Sequence, residues 1–281
     1  MINFFVTGIT GQDGIFLTKK ILEENKFNRI YGISREKNHL IFYKKLNSIC
    51  EFDNSRIDIL DINLLDKSKI VSFLTDVKPS QIYNLSGPSS VYESYKNPSK
   101  SDFEITTIFN NLTSSLIELD FFPKFFQASS SEMYGALSKE GLNEKDDFEP
   151  ISPYAIAKLK NHKNVSKLRD KYNWEIYSGI LFNHESQFRD KNYLLMKIIS
   201  KANKISENKE NKITLGSLDY KRDWTYASDT VDGIFKITNS NTKDDYVIGS
   251  GKLNSIQDMA EIVFEYFNLN LQKYINIDPE L

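Results

Sequence analysis

Asn3-Phe4-Phe5-Val6-Thr7-Gly8-Ile9-Thr10-Gly11-Gln12-Asp13-Gly14-Ile15 opens the chain with an apolar run, three evenly spaced glycines and the start of a helical pattern. Phe4, Phe5 and Val6 are the run of a buried strand, and Ile15, Leu17, Ile21 and Leu22 continue as one face of a helix. Strand, glycine loop and helix in that order is the context of a phosphate-binding fingerprint. Glycines let the backbone turn tightly and approach a pyrophosphate, which then sits at the positive end of the helix. The Gly-x-x-Gly-x-x-Gly spacing of Gly8, Gly11 and Gly14 is one residue longer than the commonest dinucleotide form. The alternative for such a loop is an ordinary tight turn, which the strand before it and the helix after it disfavour.

Working outward, Arg29 to Ile33 reads as a second strand that ends in Ser34-Arg35-Glu36-Lys37. NAD enzymes of this architecture place a carboxylate there for the ribose 2′-hydroxyl. A guanidinium at Arg35 suits a 2′-phosphate and hence NADP, while Glu36 is an acid one residue further on. Arg56 to Ile62 is a third strand, followed by a helix at 67–77 and a fourth strand, 81–85, with the turn Ser86-Gly87-Pro88-Ser89-Ser90. A helix over 105–119 precedes Phe125-Phe126-Gln127-Ala128, a buried strand end. Alternating strands and helices with short connections predict an α/β fold with a doubly wound parallel sheet. Ligands of such a sheet belong at the carboxyl ends of its strands.

A second stretch lies at such an end. It reads Ser129-Ser130-Ser131-Glu132-Met133-Tyr134-Gly135, then a polar loop, then Ser152-Pro153-Tyr154-Ala155-Ile156-Ala157-Lys158. Ser152 and Pro153 suit the cap and first turn of a helix, on which Tyr154 and Lys158 share a face. A free tyrosine, with a pKa near ~10, is a poor base at neutral pH. A neighbouring ammonium favours the phenolate, so Tyr154 is fitted to exchange protons with a substrate hydroxyl. Beyond it come a strand at 175–181, the loop Phe182-Asn183-His184-Glu185-Ser186 and a polar helix end around 203–212. Next are the turn-like Lys221-Arg222-Asp223-Trp224, a helix from Thr225 to Ile237, a strand at 246–248 and a helix at 255–267.

The bulk numbers narrow the class further. With 36 basic and 38 acidic residues the chain is close to neutral, which argues against a nucleic-acid or membrane surface built on net charge. Cys50 is its only cysteine, so no intrachain disulfide forms, and three scattered histidines bring no metal-ligand cluster. No apolar stretch approaches the ~20 residues of a membrane span, and the start of the chain runs straight into a strand. A cytoplasmic enzyme without a metal is the expectation.

Together these motifs resemble the extended short-chain dehydrogenase/reductase family and, within it, the GDP-mannose 4,6-dehydratases. The narrower features are Asn183-His184-Glu185-Ser186 and Lys221-Arg222-Asp223-Trp224. The resemblance implies a Rossmann-type sheet with a smaller substrate-binding part. It implies an NADP-binding domain over 1–182, with about 220–248 packing back onto it, and a sugar-nucleotide part over 183–219 and 249–281. NADP would contact Gly8, Thr10, Gly11, Gln12, Asp13, Gly14, Arg35, Asp61, Ile62, Leu85, Ser86, Tyr154, Lys158, Leu181, His184 and Arg189. Ser130, Glu132, Tyr154 and Lys158 would be catalytic, and Ser89, Ser130, Asn183, Lys197 and Arg222 would hold a GDP-sugar.

The implied reaction is loss of water across C5 and C6 of the sugar, by internal hydride transfer from C4 to C6, in a homodimer or homotetramer. Ser130 replaces the threonine of the mannose enzymes, and Pro88-Ser89-Ser90-Val91 lacks their histidine. Both features resemble a sister group acting on GDP-manno-heptoses. Glu132 is the residue that a 4-epimerase or 4-keto reductase of this fold would not need. A degenerate nucleotide-binding protein is a third reading, because the family continues past Asp278-Pro279-Glu280-Leu281 with a nucleotide-holding segment. Without that segment's arginine, GDP-sugar binding is expected to be weakened and cofactor binding near normal, unless a partner subunit or a longer chain supplies the charge.

Overall fold

The computed structural model describes residues 2–35, 38–135 and 141–278. Glu36 and the final Pro279-Glu280-Leu281 of the sequence readings lie outside the described residues. Along the chain come β1 (Asn3–Thr7), α1 (Gln12–Glu24), β2 (Arg29–Ile33), α2 (Leu40–Asn47), β3 (Ile57–Leu60) and α3 (Lys67–Val77). They are followed by β4 (Gln81–Asn84), α4 (Val91–Lys96), α5 (Pro98–Glu118), β5 (Lys124–Ser130) and a 3-10 turn (Ser131–Tyr134). Next are α6 (Pro153–Tyr172), β6 (Ile176–Leu181), β7 (Asn183–Glu185), α7 (Leu194–Ser206), β8 (Ile213–Leu215) and β9 (Lys221–Tyr226). The last are α8 (Ala227–Thr238), β10 (Asp245–Ile248), β11 (Leu253–Ser255), α9 (Ile256–Tyr266), α10 (Leu271–Tyr274) and β12 (Ile275–Ile277).

The chain divides into two units, Met1–Phe182 with Ala227–Ile248, and Asn183–Tyr226 with Gly249–Leu281. In the first, seven strands form one sheet in the order β10-β6-β5-β4-β1-β2-β3, every neighbouring pair parallel. This is the doubly wound Rossmann-type α/β arrangement that the alternating pattern predicts. Phe5, Ile82, Phe125 and Ile176 stand side by side across β1, β4, β5 and β6 in register, all fully buried. Phe73, Leu74, Phe109 and Leu112 from α3 and α5 belong to the same cluster. A parallel strand buried on both faces needs such a continuous apolar run. Cutting one of these side chains to alanine costs about 2–5 kcal/mol.

In the second unit β9 runs between β7, to which it is parallel, and β11, to which it is antiparallel. β8 and β12 form a separate parallel pair. Ile198, Ala202 and Ile205 of α7 pack with Ala260, Val263 and Phe264 of α9 over Ile213 and Leu215.

The structure corrects three local readings. The Lys221–Trp224 turn and the start of the following helix are one strand, and α8 begins only at Ala227. Trp224, Thr225 and Tyr226 are strand-favouring residues, and they pair with Asn183, His184 and Glu185. That pairing also turns the expected 182–186 loop into β7. Helix α5 reaches back to Pro98, because its first turns are polar and give no apolar period while Pro98 suits a first helical position.

Candidate active site

In the first unit the strand order reverses between β1 and β4, the place where open α/β sheets bind ligands. Thr7 closes β1 there. Its hydroxyl donates to Asn84 Oδ1 (2.9 Å) and accepts the backbone N–H groups of Leu85 and Ser86, each at 3.1 Å. The loop after β4 is thereby held beside the glycine loop. Gly8 has φ +71°, and a Cβ there would stand 3.2 Å from the Leu85 carbonyl and Ser86 Cα. A Cβ on Gly14 would meet the carbonyl oxygens of Gly8 and Ile9 at 2.5 Å. Helix α1 starts at Gln12, and its cap, Gly11, has no side chain to bond the helix amides. A close-packed glycine turn ending in a glycine-capped helix N-terminus fits the pyrophosphate of a dinucleotide.

At the end of β2, the Thr10 and Ser34 hydroxyls are 3.0 Å apart. Arg35 is 82% exposed and reaches Glu104 of α5 at 3.4 Å, so the guanidinium sits free of the core. Asp61 follows β3 and is exposed, whereas Ile62 packs against the core cluster. Leu181 is buried at the end of β6.

The chemistry-bearing residues of this unit lie at the end of β5 and on α6. Ser130 ends β5, almost buried, and its Oγ accepts the N–H of Glu132 at 3.2 Å, which pins the 3-10 turn. Glu132 is half-buried on that turn. Ser152 caps α6 through the Ala155 N–H (3.1 Å), and Ser94 accepts the Tyr154 N–H (3.2 Å). The first turn of α6, which carries Tyr154, is thereby tied down by two hydroxyls. Both side chains are only 8% exposed, with the ammonium 5.6 Å from the centre of the tyrosine ring. Lys158 Nζ donates to the Ala128 carbonyl at 2.9 Å. Burial pulls its pKa down to about 8, opposed by the charge of Asp13. Ser89 is exposed, and its neighbour Ser90 caps α4 through the N–H of Glu93.

The second unit carries the remaining candidates. Asn183 and His184 lie on β7 beside Trp224 and Thr225 of β9. Arg189 stacks on Tyr193, 3.6 Å from the ring centre, with its Nε 3.5 Å from Glu185. Lys197 on α7 and Arg222 on β9 are both exposed. A groove of about 670 Å³ is lined by Leu195, Met196, Ile199, Trp224, Tyr226 and Ile262, among others. Asp223 was not a candidate in the sequence. Its buried carboxylate accepts from Ser250 N (2.9 Å), Ser250 Oγ (2.7 Å) and Gly251 N (2.7 Å), fixing the strand next to Arg222. An Asp between a cationic pair and a tryptophan gives no sign of this, since its partners lie far along the chain. Among the described residues no cluster of three or more His, Cys, Asp or Glu could hold a metal. No helix among them is long and apolar enough to cross a membrane.

A Rossmann-type sheet with Ser130 at the end of β5 and Tyr154 and Lys158 on α6 beside it defines the class as an extended short-chain dehydrogenase/reductase. Solved structures share the fold. One is a dTDP-glucose 4,6-dehydratase from Streptomyces venezuelae, described with NAD and TYD bound (TM-score 0.84, 16% identity, 99% of this chain and 85% of that one). Another is RMD from Pseudomonas aeruginosa, described in complex with NADPH (TM-score 0.80, 17% identity, 99% and 86%). The family profile described as GDP-mannose 4,6 dehydratase matches residues 5–280. Proteins of that name are 34% identical in Homo sapiens (92% of this chain, 70% of that protein) and 33% in Drosophila melanogaster (94% and 67%). The chain belongs to the GDP-mannose 4,6 dehydratase family of enzymes.

Proposed function

We propose that the protein removes water from a GDP-sugar, GDP-mannose or a GDP-manno-heptose, leaving the 4-keto-6-deoxy sugar, with NADP as its cofactor. Glu132 carries this reading. It is a carboxylate two residues beyond Ser130, fixed by its own N–H to that serine at the end of β5. Epimerisation or reduction at C4 has no use for a base at C5, whereas elimination requires one. The family membership and the fit of the glycine turn to a dinucleotide support the same reading.

The bound nicotinamide would supply hydride exchange, accepting one from C4 and giving one back at C6. Tyr154 removes the O4 proton, and the nearby Lys158 ammonium favours its phenolate. The Ser130 hydroxyl steadies the charge developing on O4. A ketone at C4 acidifies the hydrogen on C5, which Glu132 takes as a proton and hands to the departing C6 hydroxyl, so that water leaves and a C5–C6 double bond remains. Return of hydride to C6 requires a proton at C5, and the one Tyr154 took from O4 supplies it, leaving O4 as the ketone. With the cofactor bound, Lys158 would also hold its nicotinamide ribose, and Arg35 would meet the 2′-phosphate. Asn183, Lys197 and Arg222 hold the GDP part, where two cations oppose the diphosphate. Incubation with GDP-mannose and, separately, a GDP-manno-heptose tests the proposal by mass. A product lighter by one water is expected from one of them. An isomer of unchanged mass would identify a 4-epimerase instead.

A further inference from the structure

Tyr154, Lys158 and His162 follow one another at four-residue spacing down a single face of α6. The first two are assigned above; His162 is not. It is 5% exposed, and its Nδ1 lies 3.2 Å from Ser129 Oγ and 2.9 Å from Ser178 Oγ, while the two hydroxyls are 2.8 Å apart. On the other side of the ring Nε2 is 3.6 Å from Asp245 Oδ2. Asp245 is already committed to Arg169, whose Nη2 donates to it at 2.7 Å and whose Nε donates to the Ile176 carbonyl at 3.0 Å. The edge of the imidazole meets Phe148 at 5.1 Å between ring centres.

Burial keeps the ring neutral, opposed by Asp245 and assisted by Arg169 and Lys163. A neutral ring with a carboxylate at Nε2 carries its proton there, leaving Nδ1 to accept from the serines. Two adjacent residues of β5 are therefore tied to α6: Lys158 donates to the Ala128 carbonyl, and the Ser129 hydroxyl pairs with His162 Nδ1, with Ser130 the next residue.

We propose that His162 is a positioning residue for the dehydration: its bonds to Ser129 and Ser178 fix the height of α6 along β5 and so hold Tyr154 and Lys158 in line with Ser130. The proposal rests on the reading of function above. A core histidine that only fills space would place no such demand on turnover. Proton transfer at O4 depends on alignment within a fraction of an ångström, and a shift of about 1 Å costs on the order of a hundredfold.

Three variants test this. His162→Phe keeps a ring against Phe148 and removes both sets of bonds. His162→Asn puts an amide near the position of Nδ1. Ser178→Ala removes a partner hydroxyl with little change of volume, and it carries the test if His162→Phe does not fold. In His162→Phe or Ser178→Ala, kcat should fall roughly ten- to a hundredfold while KM for the GDP-sugar stays within about threefold. The acid limb of the pH–rate profile should move to higher pH, because a displaced Lys158 favours the Tyr154 phenolate less. His162→Asn should recover most of both losses. Turnover within twofold of the parent in a folded variant overturns the proposal. So does a fall in which kcat, KM and melting temperature move together without rescue by Asn. If the parent dehydrates neither sugar, it is the reading of function that fails, and amide hydrogen exchange over residues 153–162 then decides about the clamp. Faster exchange in His162→Phe, restored in His162→Asn, supports it, and unchanged exchange overturns it.

Discussion

The ammonium of Lys158 donates to the main-chain carbonyl of Ala128 at 2.9 Å while remaining only 8% exposed. A charge so placed is costly to the fold. Its pKa falls from the ordinary 10.5 to about 8, chiefly by burial. Below pH 8 both folded and unfolded chains carry the proton, and the full penalty applies, about 3 kcal/mol. Between about 8 and 10.5 the unfolded chain binds more protons than the folded one, so stability rises with pH. Lys158→Met should therefore melt above the parent at pH 7, even after losing about 1 kcal/mol of hydrogen bonding. That advantage should shrink across pH 8 to 10.5, while activity is lost throughout. Calorimetric melting over that range checks it, and a lower melting temperature for the variant at pH 7 would contradict it.

Glu132 and Tyr154 are assigned to different protons, and two variants separate them. Glu132→Gln should still permit oxidation at C4, so reduced cofactor and a 4-keto sugar of unchanged carbon skeleton accumulate in the first turnover. Tyr154→Phe should show no reduced cofactor at all. Rapid-mixing absorbance with a mass endpoint distinguishes the two. Near-parental turnover in Glu132→Gln would mean that the carboxylate only serves the 3-10 turn.

Arg35 pairs with Glu104 across 3.4 Å, and Lys100 lies 3.9 Å from the same carboxylate. An exposed pair of this kind holds little energy, so a 2′-phosphate can displace Glu104 from the guanidinium. A charge-assisted contact is worth about 1.5–3 kcal/mol, or roughly ten- to a hundredfold in affinity. NADP should bind more tightly than NAD by about that factor, and Arg35→Ala should abolish the difference. Glu104→Gln should tighten NADP and leave NAD unchanged, because it removes the competitor. Calorimetric titration of both nucleotides decides, and equal affinities in the parent would refute the assignment.

The sheet was legible because its code is local. Phe4-Phe5-Val6 before Gly8, and Phe125-Phe126 before the serines, are buried runs in a strand–helix alternation that few folds share. That Tyr154 and Lys158 share one helix was legible for the same reason, since they are four residues apart behind a Ser-Pro start. What stayed hidden depends on partners distant in the chain. Trp224-Thr225-Tyr226 is a strand because Asn183-His184-Glu185 pairs with it, and neither segment is long enough to announce a strand. His162 looks like a solvated helix residue between Asn161 and Lys163 until Ser129, Ser178 and Asp245 are brought to it.

Arg222 and Asp223 are neighbours on β9 with opposite fates, since strand alternation sends one side chain outward and the next inward. Arg222 is exposed, and its Nη1 donates to the carbonyl of Lys221, so folding asks little of it. Arg222→Ala should leave melting within about 0.5 kcal/mol of the parent, as surface substitutions do. Its effect should fall on GDP affinity instead, a loss of roughly ten- to a hundredfold for one charged partner of a diphosphate. NADP affinity should not change. Asp223→Ala should do the reverse. Removing its carboxylate loses the bonds from the N–H groups of the exposed Ser250 and Gly251, about 0.5–1.5 kcal/mol each, and loosens the tie to the loop before β11. Melting should drop by several degrees, and GDP affinity should fall only as far as the second unit unfolds. Parallel melting curves and GDP titrations on the two variants read this out. If Arg222→Ala binds GDP as the parent does, the arginine is not a diphosphate ligand, and Lys197 would be the remaining cation assigned to that role.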